Sequence, residues 1–282
     1  MCLYYQMEGV KNLIREYLIS CGFEIGVLIL STFYLRKYNL LLKENFRGKK
    51  IPCCMGIVLS LSWVIYLLQM FFRTSNAKWL VVAISMWCIS FIGLLDDIFG
   101  NNKSKGFKGH VIRFIKSGEF STGLLKMVSV PAVIFISSMI LHKEVAQSLF
   151  YAILGSLCVN LFNLFDLRPG RCIKVLWIFV VVLSFFVHFD SSAVALLTLT
   201  IPIFVGDLRE FYMLGDAGSN VIGYLFFLIL INNYSASYNS FLIWAVFLVV
   251  FVLNVLSEHI SFSKVIERNK FLNFIDMLGR KN

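Results

Sequence analysis

Three stretches of this chain have residue types and spacings that can do chemistry: Asp96-Asp97, Asn160-x-x-Asn163-x-x-Asp166 and Gly215-Asp216-Ala217-Gly218-Ser219. The acidic pair abuts the apolar run Phe91-Ile92-Gly93-Leu94-Leu95. A polar segment with Lys103, Lys105, Lys108, His110, Arg113 and Lys116 follows it. Two adjacent carboxylates at the foot of an apolar helix are costly unless a cation offsets them, and a divalent metal, or a phosphate with its metal, is the natural partner. At about 100° per residue, Asn160, Asn163 and Asp166 fall within about 120° of one another, so two amides and one carboxylate share a helix face. Polar contacts between helices would use the same residues. Next, Leu167-Arg168-Pro169-Gly170-Arg171 breaks the helix and supplies two guanidinium groups suited to phosphate oxygens. In Gly215–Asn220 the glycines allow close backbone approach, Ser219 or Asn220 can cap the next helix, and free N–H groups there favour an anion. Asp216 is placed to hold a metal that bridges phosphates, whereas Asp207, Arg209 and Glu210 read as a solvated loop or a supporting layer. Carboxylates grouped with basic residues fit metal-assisted phosphoryl transfer.

The elements that must position these residues read as membrane helices. The chain has 282 residues, is 59% hydrophobic, has a mean hydropathy of +0.79, and is only 15% charged, against roughly 25% in soluble domains. The expected fold is an all-α polytopic bundle forming one domain over 1–282, with about nine spans. They fall near 17–35, 55–72, 79–95, 124–141, 145–165, 173–189, 191–205, 219–233 and 239–257, the seventh and eighth being short. The first apolar run holds Glu24 and lacks a small-x-small cleavage pattern, so it reads as an uncleaved span.

The net charge of +10 and a pI near 9.3 raise nucleic acid as a partner. The distribution points elsewhere, because 21 of the 26 lysines and arginines fall in alternate junctions and the tail. The positive-inside rule then puts the N-terminus outside, the tail 258–282 in the cytosol and the acidic motifs on the cytoplasmic face of a cell membrane, with no nucleic-acid role. In the tail, Val265, Ile266, Phe271, Leu272, Ile275 and Leu278 recur among basic residues, as in an interfacial helix or one packed under the bundle. Lys49 and Lys126 stand at span entries, where lysines commonly anchor to headgroups. The seven cysteines form no Cys-x-x-Cys pair and read as small buried residues.

At these motifs the chain resembles the polyprenyl-phosphate N-acetylhexosamine-1-phosphate transferase family, which includes phospho-N-acetylmuramoyl-pentapeptide transferase and undecaprenyl-phosphate GlcNAc-1-phosphate transferases. Ile51-Pro52…Gly56 is similar to a Pro-Thr-x-Gly-Gly loop. Gly93-Leu-Leu-Asp96-Asp97, Asn160-x-x-Asn163-x-x-Asp166 and Leu214-Gly-Asp216-Ala-Gly-Ser219 are similar to three further motifs, in the same order. The resemblance implies attack of a polyprenyl phosphate on the sugar-linked phosphate of a nucleotide-sugar, with release of a nucleoside monophosphate. It implies Mg²⁺, with Mn²⁺ as a substitute, on Asp216 and Asp166. Catalytic roles would fall to Asp96, Asp97, Asp166, Asn163 and Lys126. Substrate contacts would fall to Lys49, Asn160, Arg168, Arg171, Gly215, Ser219 and His259. Oligomeric state, including a homodimer, stays open. The chain departs from the family in four respects: Cys53-Cys54-Met55 replaces the Thr and first Gly of the loop, Leu-Arg-Pro-Gly-Arg follows Asp166, only Glu258-His259 stands where a multi-histidine signature would be, and the family's final outward span is not expected here. The competing reading is a non-catalytic lipid-phosphate binder or a transporter.

Overall fold

Long apolar runs punctuated by glycines and charged residues dictate helices. The computed structural model, which describes residues 2–100, 121–186, 191–237 and 240–280, is 80% helical. The basic segment 101–120 with His110, and also His188, lie outside the described residues. The helices are α1 (Cys2–Lys37), α2 (Gly56–Thr74), α3 (Lys78–Phe99), α4 (Thr122–His142), α5 (Val145–Phe165), α6 (Arg171–Ser184), α7 (Ser191–Leu199), α8 (Ile201–Leu208), α9 (Gly215–Ser237), α10 (Ser240–Ser257), α11 (Phe262–Arg268) and α12 (Lys270–Met277). Among the described residues, α1 to α5 and α9 are long and apolar enough to cross a membrane; α10 and α11, joined across a 96° bend, add a seventh if they count as one span.

Two of the nine expected spans are not single helices of that length. The segment expected near 173–189 is α6, only 14 residues long. The one expected near 191–205 is broken into α7 and α8. Pro202, in the first turn of α8, cannot donate to the carbonyl four residues back. That carbonyl, of Thr198, accepts instead from Cys21 Sγ at 3.9 Å. Thr200 at the break is held by Trp177, whose Nε1 donates to its Oγ1 at 2.9 Å. Helix α1 starts at Cys2, and its stretch Ile14–Lys37 is long and apolar enough to cross, in line with the span expected near 17–35.

Helix α9 is the hub. Of its apolar window 78% is buried within the protein, against 17% for α1. It packs on α2, α3 and α5, while α4 bridges α3 and α5, α1 covers α2, and α10 covers α5. Helices in lipid gain little from hydrophobicity alone, so close approach through small residues decides such packing. Gly56, opening α2, lies directly on Gly218 of α9, and its N–H donates to Leu214 O at 2.8 Å. Deeper in, Phe162 and Phe179 pack against Phe226 with ring centroids 5.3 and 5.7 Å away.

Not every element is helical. β1 (Leu42–Glu44) and β2 (Lys50–Pro52) form an antiparallel hairpin with Lys43 opposite Ile51. Asn45 builds its turn by accepting from the N–H groups of Arg47 and Lys49 at 2.9 and 3.0 Å. The same side chain donates to Glu210 Oε2 at 2.8 Å, and Arg47 pairs with Glu210 at 3.2 Å. The strand end is laced to the segment before α9: Met213 N donates to Pro52 O at 2.8 Å, and Met55 N to Met213 O at 3.2 Å.

The tail turns under the bundle. Phe262 stacks on Phe165 at 5.3 Å, and Asp276 of α12 is buried, while Phe271 and Phe274 stay exposed.

A methyl group at position 56 would overlap the backbone of Gly218. Gly56→Ala is expected to lower stability by about 1–3 kcal/mol through overpacking. Gly22→Ala, which meets nothing within 4 Å, is expected to be neutral or stabilising by roughly 0.5–1 kcal/mol. Thermal unfolding of the two variants in detergent checks the contrast.

Candidate functional site

The C-terminal end of α3, the ends of α5 and α8, the start of α9 and the β-hairpin surround a cleft of about 370 Å³. Its lining includes Lys43, Cys53, Asp97, Asp166, Arg168, Asp207, Gly215 and Asp216. That volume lies within the range of small-molecule sites.

Asp97 anchors one wall. Its carboxylate accepts from Ala217 N at 3.0 Å and also from Asp216 N, so a carboxylate of α3 occupies the N-terminus of α9. The helix dipole and unpaired N–H groups favour such an anion. The anion expected at this helix start from its sequence is therefore the protein's own. Gly215, at φ +73°, adopts a left-handed conformation, and a Cβ there would press on the Asp97 carboxylate. Lys43 Nζ donates to the Asp97 backbone carbonyl from the hairpin side.

Asp96, one residue earlier on α3, comes within hydrogen-bond reach of Asp216 and of Thr122 at the start of α4. Lys126 of α4 pairs with Asp216 at 2.8 Å. With the amide of Asn163 oriented to satisfy its neighbours, its nitrogen donates to Asp216 Oδ1 at 2.9 Å and to Ser219 Oγ at 3.0 Å, while its oxygen accepts from Lys126 Nζ at 3.0 Å. Ser219 thus serves Asn163 inside the bundle rather than capping α9.

Asp166 sits just past α5. Burial, then the neighbouring charges of Asp207, Asp216 and Asp97, push its carboxyl well above the usual carboxylate range; the Gly215 N–H acts in the opposite sense. Asp207 is buried, not solvated. It accepts from Gly170 N at 2.7 Å and from Leu214 N at 3.3 Å, tying the turn after α5 to the start of α9.

Among the residues expected at the site, Asp96, Asp97, Lys126, Asn163, Asp166, Gly215, Asp216 and Ser219 come together. Arg168 reaches only the rim, where it pairs with Glu267 at 3.0 Å and stacks over Phe46 at 4.8 Å. Four others stand elsewhere. Asn160 donates to Asn254 Oδ1 at 2.7 Å and joins α5 to α10, the interhelical use of that residue. Lys49 is exposed on the outside of the hairpin turn, and His259 is exposed at the bend after α10. Arg171 is 2% exposed and points away from the cleft: its Nε and Nη2 donate to Asp276 at 2.8 and 2.7 Å and its Nη1 to Ser263 at 2.8 Å. It holds the tail, and its three nitrogens are all engaged there rather than at the cleft. Lys43 and Thr122 are not marked by the sequence motifs, while Asp207 takes the supporting role that was one of its two expected readings. Lys43 is one of six basic residues in its junction, and only the hairpin selects it.

Among the described residues, no three His, Cys, Asp or Glu side chains stand as a ready metal-ligand set. A larger groove of about 620 Å³ lies between α1 and α8, is mostly apolar, and touches the cleft only through Tyr212. Comparison of the chain with protein-family models and with the sequences of curated proteins gives no match.

The clamp on the tail yields a pH sign. Burial alone would raise the Asp276 carboxyl, but Arg171 and Arg280 outweigh it and hold it below the ordinary range. Such a group stabilises fully above the unfolded value of about 3.9 and ceases to do so as pH falls through its lower folded value. The tail should therefore resist proteolysis at pH 5 and become cleavable only well below pH 4. Arg171→Ala leaves Asp276 buried with one guanidinium fewer and should cost about 3–5 kcal/mol, exposing the tail to protease at neutral pH.

Proposed function

We propose that this protein is a membrane enzyme that transfers a sugar-1-phosphate from a nucleotide-sugar, a UDP-N-acetylhexosamine in the first instance, to a polyprenyl phosphate. The observation that carries this reading is a cleft lined by Asp97, Asp166, Asp216 and Lys43, from separated segments, with Asp96 and Lys126 both in contact with Asp216. In this reading α6 and the broken α7–α8 also cross, giving nine passes, with the N-terminus outside and the cleft at the cytoplasmic face of the cell membrane.

The donor set suits Mg²⁺. Two carboxyl groups in contact, as Asp96 and Asp216 are, must share a proton or be separated by a cation. Mg²⁺ takes hard oxygen ligands, needs only one or two carboxylates, and completes its shell with water and substrate phosphates. Asp216 would hold it, with Asp166 behind. Bound there, the ion would neutralise charge on the diphosphate during transfer.

The chain's own residues do the rest. Lys126, fixed by Asp216 and Asn163, presents its ammonium to the phosphate oxygens. Lys43 approaches from the hairpin side, and Arg168 from the rim. A lipid phosphate oxygen attacks the sugar-linked phosphorus, and the bond to the nucleoside phosphate breaks. Asp97, fully engaged with the start of α9, positions this region, while Asp96 is left to take a proton from the acceptor phosphate. Phosphoryl transfer requires positioning and charge neutralisation more than covalent help.

A transporter is the second reading, and one observation favours it. Glu24 lies within the apolar stretch of α1, is wholly buried, and is held by Ser62 Oγ at 3.0 Å and by the Ile203 backbone, while its Oε1 lacks a close hydrogen-bond partner among the described residues. Intramembrane acids commonly mark ion pathways.

The test is turnover of purified protein with undecaprenyl phosphate and a panel of nucleotide-sugars, with and without Mg²⁺, scoring nucleoside monophosphate. Asp216→Asn and Lys126→Ala should each lower turnover at least about 10²-fold without loss of fold. Unchanged turnover in Asp216→Asn removes the proposed mechanism, and no release from any donor by folded protein favours the transporter.

A further inference from the structure

The loop entering α2 places two cysteines side by side at the cleft. Cys53 lines it, and Cys54 lies behind, both almost fully buried. Their Sγ atoms are 3.1 Å apart, close enough that one thiol donates a hydrogen bond to the other. Cys54 stands at φ +65°, a left-handed conformation that residues with a side chain rarely adopt. The backbone on both sides holds it there: Cys53 N donates to Leu41 O at 2.9 Å, and Met55 N to Met213 O at 3.2 Å.

We infer that Cys53 and Cys54 form a redox-active vicinal dithiol in the cleft wall, which hydroperoxides convert reversibly to a disulfide. The hydrogen bond from Cys54, helped by the charge of Lys43, draws the Cys53 thiol below its usual range against burial and the nearby Asp97, and pushes Cys54 up. Cys53, which lines the cleft while Cys54 does not, is the attacking sulfur, and its near-complete burial restricts it to a small oxidant entering through the cleft. Its sulfur attacks one peroxide oxygen, the O–O bond breaks, and the departing oxygen leaves as alcohol or water after taking a proton. Cys53 becomes a sulfenic acid. The Cys54 sulfur then attacks the Cys53 sulfur, the S–O bond breaks, and water leaves with the Cys54 proton. Two thiols have lost two hydrogens, and the hydroperoxide has been reduced to alcohol and water. The resulting eight-membered ring joins adjacent residues, whose Cα atoms are closer than in ordinary disulfides, so it is strained and readily reduced. A reducing compartment would reopen it.

The ring would act on the carboxylate cluster through the backbone. Pro52, Met55 and Gly56 hydrogen-bond Met213 and Leu214, the residues immediately before Gly215 and Asp216. A change of conformation at Cys53-Cys54 is passed directly to the residue that pairs with Lys126. The thiol chemistry itself stands apart from the transferase reading.

The experiment treats the purified full-length chain in detergent with equimolar hydrogen peroxide. It then alkylates all thiols under denaturing conditions and measures peptide masses. The peptide with Cys53 and Cys54 should lose two hydrogens and escape alkylation, and dithiothreitol should restore both thiols, while Cys21 and Cys88 stay alkylatable throughout. One phenylarsine oxide should bridge the pair in untreated protein and none after peroxide. Cys54→Ser should stop at a Cys53 sulfenic acid that dimedone traps. Alkylation of the pair equal to that of Cys21 and Cys88 after peroxide overturns the inference, as does oxidation to sulfinic acids without loss of the two hydrogens. If Cys54→Ser does not fold, the wild-type masses decide alone.

Discussion

The arrangement depends on one carboxylate that leaves its own helix to finish another. Asp97 belongs to α3, but its oxygens accept from the first N–H groups of α9. Helix ends have unpaired donors that must be met by something, and here they fix the angle and depth at which the two helices join. Gly215 is required beside this contact because any side chain would meet the same carboxylate. The acidic pair thus divides its work. Asp97 is committed to architecture, and Asp96 is turned toward Asp216 and Thr122.

Around that joint, polar residues connect elements that apolar packing leaves unspecified. Asp207 links the turn after α5 to the start of α9, Asn45 and Glu210 tie the hairpin to the segment after α8, and Asn163 joins Lys126, Asp216 and Ser219. Each is a buried or half-buried group that would be costly unpaired. The cleft is consequently rich in carboxylates and poor in cations. Lys126 is drawn toward Asp216, and Asp166 is left with a raised pKa.

Much of this was legible because helical spacing is a simple rule. The three motifs that carry the carboxylates were visible in the chain, and they do come together. What failed depended on partners distant in sequence. Asn160 has the right period to face the cleft, but Asn254 on α10 claims its amide. Arg171 looks like a phosphate ligand until Asp276 is seen beside it. The hairpin at 42–52 lies hidden in a basic junction read only for its charge. The break at Thr200 required weighing Pro202 against an apolar run that would otherwise pass as continuous. Composition showed a membrane protein but not that α6 would be so short.

The clamp on Arg171 has a consequence for synthesis. Its carboxylate partner lies 105 residues further along the chain. While the ribosome is still making α9 and α10, the turn that follows Asp166 carries a guanidinium meant for burial with nothing to neutralise it. That corner of the cleft cannot close until α12 has emerged and folded back beneath the bundle. An element made 105 residues later thus seals the turn that follows Asp166, and nascent chains halted before it would hold the helices but not the finished turn.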